Sequence, residues 1–550
     1  MNRNDGKRLS GLLRRLASLA LIGISAAIAG CGGGSDDNAK PTLPVAVVDR
    51  NLAATNSCAS LMTRDFRAAS EAPASLTSAE LVSATADTKE FCKVTGVIQP
   101  EIGFEIRLPT KSWNGRYFQV GCGGFCGAVN IQNCADMLAQ DFVVAAQDMG
   151  HKGDFLTDAT WGADPVKRAT YGRSTSTHAL AVASKSIIAS FYGAKPAYNY
   201  FRGCSTGGRE GLGAAQYFPD DFDGIVAGDP AFGGRLGAFS NNWDANHLLD
   251  ENNAPVFSAQ KLTVLNQAVL NSCDSLDGLK DGVIGDPRRC KFDPKTLLCP
   301  NAADGNDCLN GKQVAAAIAL YDGPRNSRGE RLSPGTSAPY GSELAWNPST
   351  DLALAGNALR YLMFAEPIPD FNYRTTNWDS LPALVEKQVA LYDPVAPKTR
   401  PDLAAFKQAG GKLIAYHGWA DHGVPPEGTL DYYATSTATL GGISQARDWF
   451  RVFMVPGMFH CRGGDAPNTF DFMPSIIAWV EQGRAPDGVI ATQFNADQTV
   501  KRTRPLAAYP NVANYTGTGN VNDAANWKIV QPDVANSNDV IDWLWAAPKQ

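Results

Sequence analysis

The chain predicts an α/β fold: a mostly parallel sheet flanked by helices and interrupted by one large insertion. Three observations carry that reading. Short apolar runs alternate with helical patterns over two separate stretches. The alternation breaks between about residues 232 and 398, and a Gly-bounded turn at 203–207 lies between a strand pattern and a helix pattern.

Taken in order, residues 1–30 read as a targeting segment outside the fold. Arg3, Lys7, Arg8, Arg14 and Arg15 precede an apolar run from Leu16 to Ile28 that ends at Ala29-Gly30-Cys31. The run is shorter than the roughly 20 apolar residues that cross a bilayer, and no later segment qualifies. Ile28-Ala29-Gly30-Cys31 resembles a bacterial lipobox, in which Cys31 is acylated and becomes the new N-terminus; an ordinary secretory signal is the other reading. Residues 31–50, with Gly32-Gly33-Gly34-Ser35 and then Pro41 and Pro44, form a flexible tether. The expectation is an exported protein, either extracellular or periplasmic and held to the outer membrane only through Cys31.

The first alternating stretch, 51–231, has strand patterns at 104–108, 117–120 and 142–146, a helix pattern at 178–192, and strands at 198–201 and 224–227. The second, 399–550, resumes with strands at 412–416 and 451–455 and a helix at 474–482. These two stretches make one catalytic domain. The portion between them, 232–398, holds four Cys and many Pro, Asn, Asp and Gly. About 170 residues is too long for a structureless loop in a compact domain, so it reads as an inserted lid.

Composition narrows the function. With 44% hydrophobic and 19% charged residues, the chain is neither a coiled coil nor mainly disordered. Its net charge of -6 becomes about -10 once the basic 1–30 segment is removed, and no basic-aromatic stripe stands out, so nucleic acid is not a partner. Twelve Cys in an exported chain suggest disulfides. Cys273 with Cys290, and Cys299 with Cys308, are short loops that could close, and Cys58 and Cys92 are placed among the bonded cysteines. Zinc is poorly supported by them, since no C-x-x-C pair or His cluster supplies four ligands.

The chemistry is concentrated at a few positions. Gly203-Cys204-Ser205-Thr206-Gly207 fits G-x-S-x-G, whose strand-to-helix turn exposes a serine hydroxyl. A serine needs a base, and in an α/β-hydrolase the acid and then the histidine follow the nucleophile along the chain. His460 lies five residues past the last strand pattern, and Asp421 lies in the loop after the strand at 412–416, placed to accept the second imidazole N–H. His422 competes as base, but a base adjacent to the orienting acid leaves that acid no role toward it. The N–H of Thr206 supplies one oxyanion donor. Cys204 precedes the serine and Cys461 follows the histidine, so if Ser205 and His460 meet, a disulfide between their neighbours would tie two loops far apart in sequence.

Cys204-Ser205, Asp421 and His460-Cys461 together resemble the Cys-Ser, Asp, His-Cys constellation of the tannase and feruloyl esterase family. The likeness runs through Trp113-Asn114-Gly115-Arg116 and Val455-Pro456-Gly457-Met458 to nearly the whole mature chain. It implies an α/β-hydrolase fold with a large lid, a Cys204–Cys461 bond, and an oxyanion loop at Gly121-Cys122-Gly123-Gly124 in which Gly124 is the second donor. It also implies a structural calcium in the lid, held by the side chains of Asp274, Asp277 and Asp281 and the carbonyls of Leu279 and Val283. Oxygen-rich Asp-Gly loops suit that ion, although spacing alone fits a solvated turn equally well.

The expected function is a serine esterase acting through an acyl-enzyme on small esters of aromatic, phenolic acids, without an organic cofactor. Two alternatives stand beside it: a terephthalate monoester hydrolase, and a non-catalytic calcium-dependent surface-binding lipoprotein. The terephthalate-cleaving relatives use a lid Arg for which no counterpart is found here, because Asp351 falls near that place and Arg360 is offset. Trp346, Leu359, Tyr361, Phe364 and Phe371 read equally as an aromatic acyl pocket or as lid core.

Overall fold

Nine strands make the central sheet: β1 (Ala74–Val82), β2 (Phe91–Ile98), β3 (Ile102–Pro109), β4 (Arg116–Val120), β5 (Val143–Gln147), β6 (Tyr198–Cys204), β7 (Gly224–Gly228), β8 (Lys412–Gly418) and β9 (Phe450–Val455). Their spatial order is β1-β2-β3-β5-β4-β6-β7-β8-β9. Pairing is antiparallel from β1 to β5 and parallel from β5 through β9. The computed structural model describes residues 50–532 and 544, except 69–70, 233–236, 301–303 and 393–400. The targeting segment, Cys31 and the tether up to residue 49 lie outside the described residues.

Successive side chains of a strand face opposite sides of a sheet, and the core divides accordingly. Tyr117, Val143, Ala145, Phe201, Ile225 and Leu413 join one apolar cluster, covered by the helices Thr175–Tyr192, Thr206–Tyr217 and Glu427–Thr437. Phe118, Val144, Ala146, Tyr200, Val226 and Ile414 join the other, covered by the helix Met473–Gln482. With both faces covered, β5 and β7 are buried at each position. That is why they read in the sequence as unbroken apolar runs. This is the α/β-hydrolase arrangement.

The antiparallel edge differs from the sequence reading, which placed no strand at β1 or β2. Along β1, Ser75, Thr77, Ser78 and Glu80 interrupt the apolar pattern of an edge strand, so its signal is weak. Two small sheets past the last helix were also not foreseen: β10 (Gly488–Phe494) with β11 (Val500–Ala507), and β12 (Val512–Tyr515) with β13 (Trp527–Val530).

Between β7 and β8 the described residues are mainly helical and add no strand to the sheet. One apolar cluster, around Phe239, Ala355, Leu359 and Leu362, also takes in Phe125, Ala159 and Trp161; another gathers around Phe257, Leu265, Leu320 and Trp346. Disulfides Cys273–Cys290 and Cys299–Cys308 close loops of this portion, and Cys58–Cys92 ties the N-terminal turn to β2. Among the described residues no helix is long and apolar enough to cross a membrane.

Candidate active site

The loops after β4, β6, β8 and β9 meet at the carboxyl ends of the parallel strands, where open α/β sheets place their ligands. Ser205 forms the turn between β6 and the helix Thr206–Tyr217, with φ 62° and ψ -120°. A positive φ is costly for a residue with a Cβ, so the turn must be held from outside. Ser205 N–H donates to Gly228 O at 2.9 Å, and Ser205 O accepts from Ala231 N–H at 3.0 Å. A Cβ on Gly203 would stand 2.5 Å from the Gly207 carbonyl, and one on Gly207 would stand 2.9 Å from Cys122 O. Both motif glycines are therefore required by backbone crossing backbone.

Asp421 is fully buried, and its Oδ2 accepts from His460 Nδ1–H at 2.7 Å. His417 Nε2 lies 3.1 Å from the same oxygen, while its Nδ1 is 2.7 Å from Thr429 Oγ1. The loops carrying Asp421 and His460 are joined through backbone: Trp419 N–H donates to Val455 O at 2.9 Å, and Ala420 N–H to Met458 O at 3.0 Å. With Nδ1 held by Asp421, His460 keeps Nε2 for a proton transfer. Burial pushes the Asp421 carboxyl up, but His460 and His417 outweigh it and hold the group below the usual range. Burial pulls the His460 imidazole down, and the charge of Asp421, helped by Asp229, raises it above the ordinary value. Asp229, buried at the end of β7, accepts from Gly418 N–H at 3.0 Å and is pushed up to about 7 by burial.

Cys204 and Cys461 are bonded, with their Cα atoms 6.1 Å apart across a sequence separation of 257 residues. Ser205 and His460, their respective neighbours, line one cavity. Changing both cysteines to Ser is expected to cost about 2–5 kcal/mol of stability. It is also expected to lower kcat by tenfold or more, since displacing a reacting group by about 1 Å costs on the order of 100-fold. Thermal unfolding and ester turnover of the double variant check both; an unchanged kcat would show that the bond does not position the base.

Thr206 N–H is the first amide of its helix, which the helix itself leaves without a carbonyl partner. Thr206 Oγ1 donates to Gly124 O at 2.7 Å, and Tyr171 OH donates to the same carbonyl at 2.9 Å. Gly124 has φ +55°, and a Cβ there would strike the Phe155 carbonyl oxygen. Gly124 and Thr206 thus face the same cavity as Ser205. Cys122 is bonded to Cys126, and Cys134 is a buried free thiol raised by that burial. Glu210, fully buried, accepts from Cys122 N–H at 2.9 Å and from Thr177 OH at 2.6 Å, bracing the Gly-rich loop against the nucleophile helix.

His417, Asp229 and Glu210 were not singled out in the sequence. The first two stand at the carboxyl ends of β8 and β7, the same positional signal that marks Asp421, and could have been found by it. Glu210 has no local signal beyond being a carboxylate on a Gly- and Ala-rich helix.

The portion between β7 and β8 contributes to the cavity, which measures about 1190 Å³, through Leu354, Ala358, Leu362 and Met363, and Phe125 and Phe155 add to it. Trp346, Leu359 and Phe364 are buried in apolar clusters instead, the one holding Leu359 and Phe364 shared with Phe125, Ala159 and Trp161, and Tyr361 and Phe371 pack against that cluster. Arg360 is exposed, whereas Asp351 lines the cavity. His422 faces Asp244 and Asp351 rather than Asp421.

In the 274–283 loop, buried Asp274 accepts from the N–H groups of Asp281, Gly282 and Val283 at 2.9–3.2 Å. Leu279 N–H donates to Asp277 at 3.0 Å, and Asp281 pairs with Arg504 at 2.8 Å. Burial, and then the charges of Asp281 and Asp274, push Asp277 up to about 6. Three Asp side chains beside backbone carbonyls make an all-oxygen donor set of the kind a hard divalent cation takes.

Comparison with known proteins places the chain. The family model for tannase and feruloyl esterase matches residues 86–530. The chain belongs to the tannase and feruloyl esterase family. It is 34% identical to an uncharacterized esterase of Xanthomonas campestris, over 80% of this chain and 84% of that one. It is 33% identical to the mono(2-hydroxyethyl) terephthalate hydrolase of Piscinibacter sakaiensis, over 82% of this chain and 87% of that one. The crystal structure of feruloyl esterase B from Aspergillus oryzae superposes with a TM-score of 0.73 at 27% identity, covering 86% of this chain and all of the other. As a member of the tannase and feruloyl esterase family, the chain is a serine carboxylic ester hydrolase.

Proposed function

We propose that the chain hydrolyses small esters of aromatic, phenolic carboxylic acids through an acyl-enzyme. Ser205 Oγ attacks the ester carbonyl while His460 Nε2 takes its proton. Asp421 holds the imidazole and stabilises its charged form. The tetrahedral oxyanion is met by the N–H groups of Thr206 and Gly124. His460 then passes the proton to the departing alcohol, and water, activated by the same imidazole, releases the acid. The observation that carries this reading is the 2.7 Å Asp421–His460 bond beside a Cys204–Cys461 bridge whose neighbour is Ser205.

Support for aromatic acids comes from relatives named feruloyl esterases and from Phe125, Phe155, Leu362 and Met363 in the cavity wall. A terephthalate monoester is the second candidate, on the name of one relative. Arg360, exposed and outside the cavity lining, does not favour it. Measuring kcat/KM on methyl ferulate, methyl gallate and mono(2-hydroxyethyl) terephthalate decides between them: preference for a phenolic ester is expected, and a clear preference for the terephthalate overturns it.

The reading includes export, supported by the N-terminal targeting pattern and by five disulfides, with lipidation at Cys31 as the anchor. It also includes a structural calcium held by Asp274, Asp277 and Asp281 and the carbonyls of Leu279 and Val283, which takes no part in the reaction. Chelation with EGTA is expected to lower the melting temperature and added calcium to restore it, since a ligand at 100 times its Kd stabilises by about 2.7 kcal/mol. Asp277→Asn is expected to lose that response; an EGTA-insensitive wild type would remove the ion from the proposal.

A further inference from the structure

A second polar cluster lies where the lid meets the loop that follows Asp421. Asp244, on the helix Asn242–Leu248, is 0% exposed; Asp351, on the helix Pro348–Tyr361, is 3% exposed. The side chain of His422, 5% exposed, points between them. His422 Nε2 is 3.3 Å from Asp244 Oδ2 and 3.6 Å from Asp351 Oδ2, and the three atoms all lie within 4.8 Å of one another. They meet as a buried ion pair, and beyond that pairing no hydrogen-bond partner reaches Asp244 Oδ1, Asp244 Oδ2, Asp351 Oδ2 or His422 Nε2.

Two carboxylates buried with a single imidazole are costly unless a proton or further positive charge meets them. Among the described residues no Lys or Arg pairs with either one. These three atoms are themselves metal-ligand atoms, and their spacing has a physical meaning. A tetrahedral ion with bonds of about 2.0–2.1 Å sets neighbouring donors about 3.3 Å apart. The Asn241 side chain hydrogen-bonds Asp351, the kind of support that orients a ligating carboxylate.

We propose that Asp244, Asp351 and His422 bind one first-row divalent cation of the zinc class. An imidazole nitrogen with two carboxylate oxygens suits such an ion better than calcium, which prefers oxygen alone. His422 and Asp351 line the cavity that Ser205 lines, so the ion's remaining position faces that cavity and is filled by water. Because the ligands come from two lid helices and from the loop just after Asp421, the ion also pins the lid beside the base. The site is separate from the 274–283 loop and does not depend on the catalytic reading.

The test uses the full mature chain without a histidine tag, stripped by a strong chelator and titrated with Co²⁺. One Co²⁺ per chain with visible d–d absorption is expected, displaced by one equivalent of Zn²⁺. Asp351→Asn and Asp244→Asn, which keep side-chain shape, are each expected to weaken Co²⁺ binding by about 100-fold, with near-UV circular dichroism confirming the fold. Asp277→Asn and Asp421→Asn should leave the titration as in wild type, separating this site from the calcium loop and the catalytic carboxylate. No stoichiometric Co²⁺ or Zn²⁺ binding by wild type, or an unchanged titration in Asp351→Asn, overturns the proposal and leaves the cluster a buried ion pair between lid and loop.

Discussion

Ser205→Ala will lower kcat by about a million-fold on any ester the wild type accepts, the size of loss seen when a serine nucleophile is removed from a complete triad. The variant should fold as the wild type does, because the turn is held by backbone bonds, Ser205 N–H to Gly228 O and Ala231 N–H to Ser205 O, that need no hydroxyl. Labelling by a fluorophosphonate probe should vanish with the hydroxyl. Retained turnover would move the nucleophile elsewhere. A wild type that neither turns over esters nor takes the probe would favour a silent binding protein on the same fold.

Asp421→Asn will lower kcat by about ten-thousand-fold, since an amide cannot hold the neutral imidazole in the tautomer that leaves Nε2 free to accept a proton. It will also change the pH profile. In the wild type the His460 pKa is raised, burial being outweighed by Asp421 and Asp229, so the neutral base is lost as pH falls through that raised value. The ascending limb of kcat/KM should therefore lie on the alkaline side of an ordinary imidazole, about 6.5. Removing the larger of the two charges will move the limb toward acid, while Asp229 remains to limit the shift. Measuring kcat/KM from pH 5 to 10 for both proteins checks the direction, and a limb that stays in place would mean that Asp421 does not govern the base.

Much of the site was legible because its signals are local. The Ser205 turn shows itself through two glycines and the strand and helix patterns on either side, all within about 20 residues. Asp421 and His460 show themselves by following short apolar strands. The lid pocket was not legible for the opposite reason. Along 348–361, Leu354 and Ala358 reach the cavity while Leu359 enters the lid core, and which stripe of a helix faces which neighbour depends on how that helix is docked. His417 carries the strand-end signal too, but what it does there shows only through its partners, Asp421, Thr429 and Asp229.

By itself the sequence determined the kind of sheet, the chain order of Ser205, Asp421 and His460 as candidates, and a pair of cysteines beside the first and last of them, because each depends only on neighbouring residues and their periodicity. Only the tertiary structure decided that these groups converge, that a second buried carboxylate, Asp229, bears on His460, and that Asp244 gathers behind Asp351 and His422, which line the cavity. Contacts between segments distant in sequence depend on strand order and helix docking, which arise from burial of the whole chain and leave no mark on any single stretch of it.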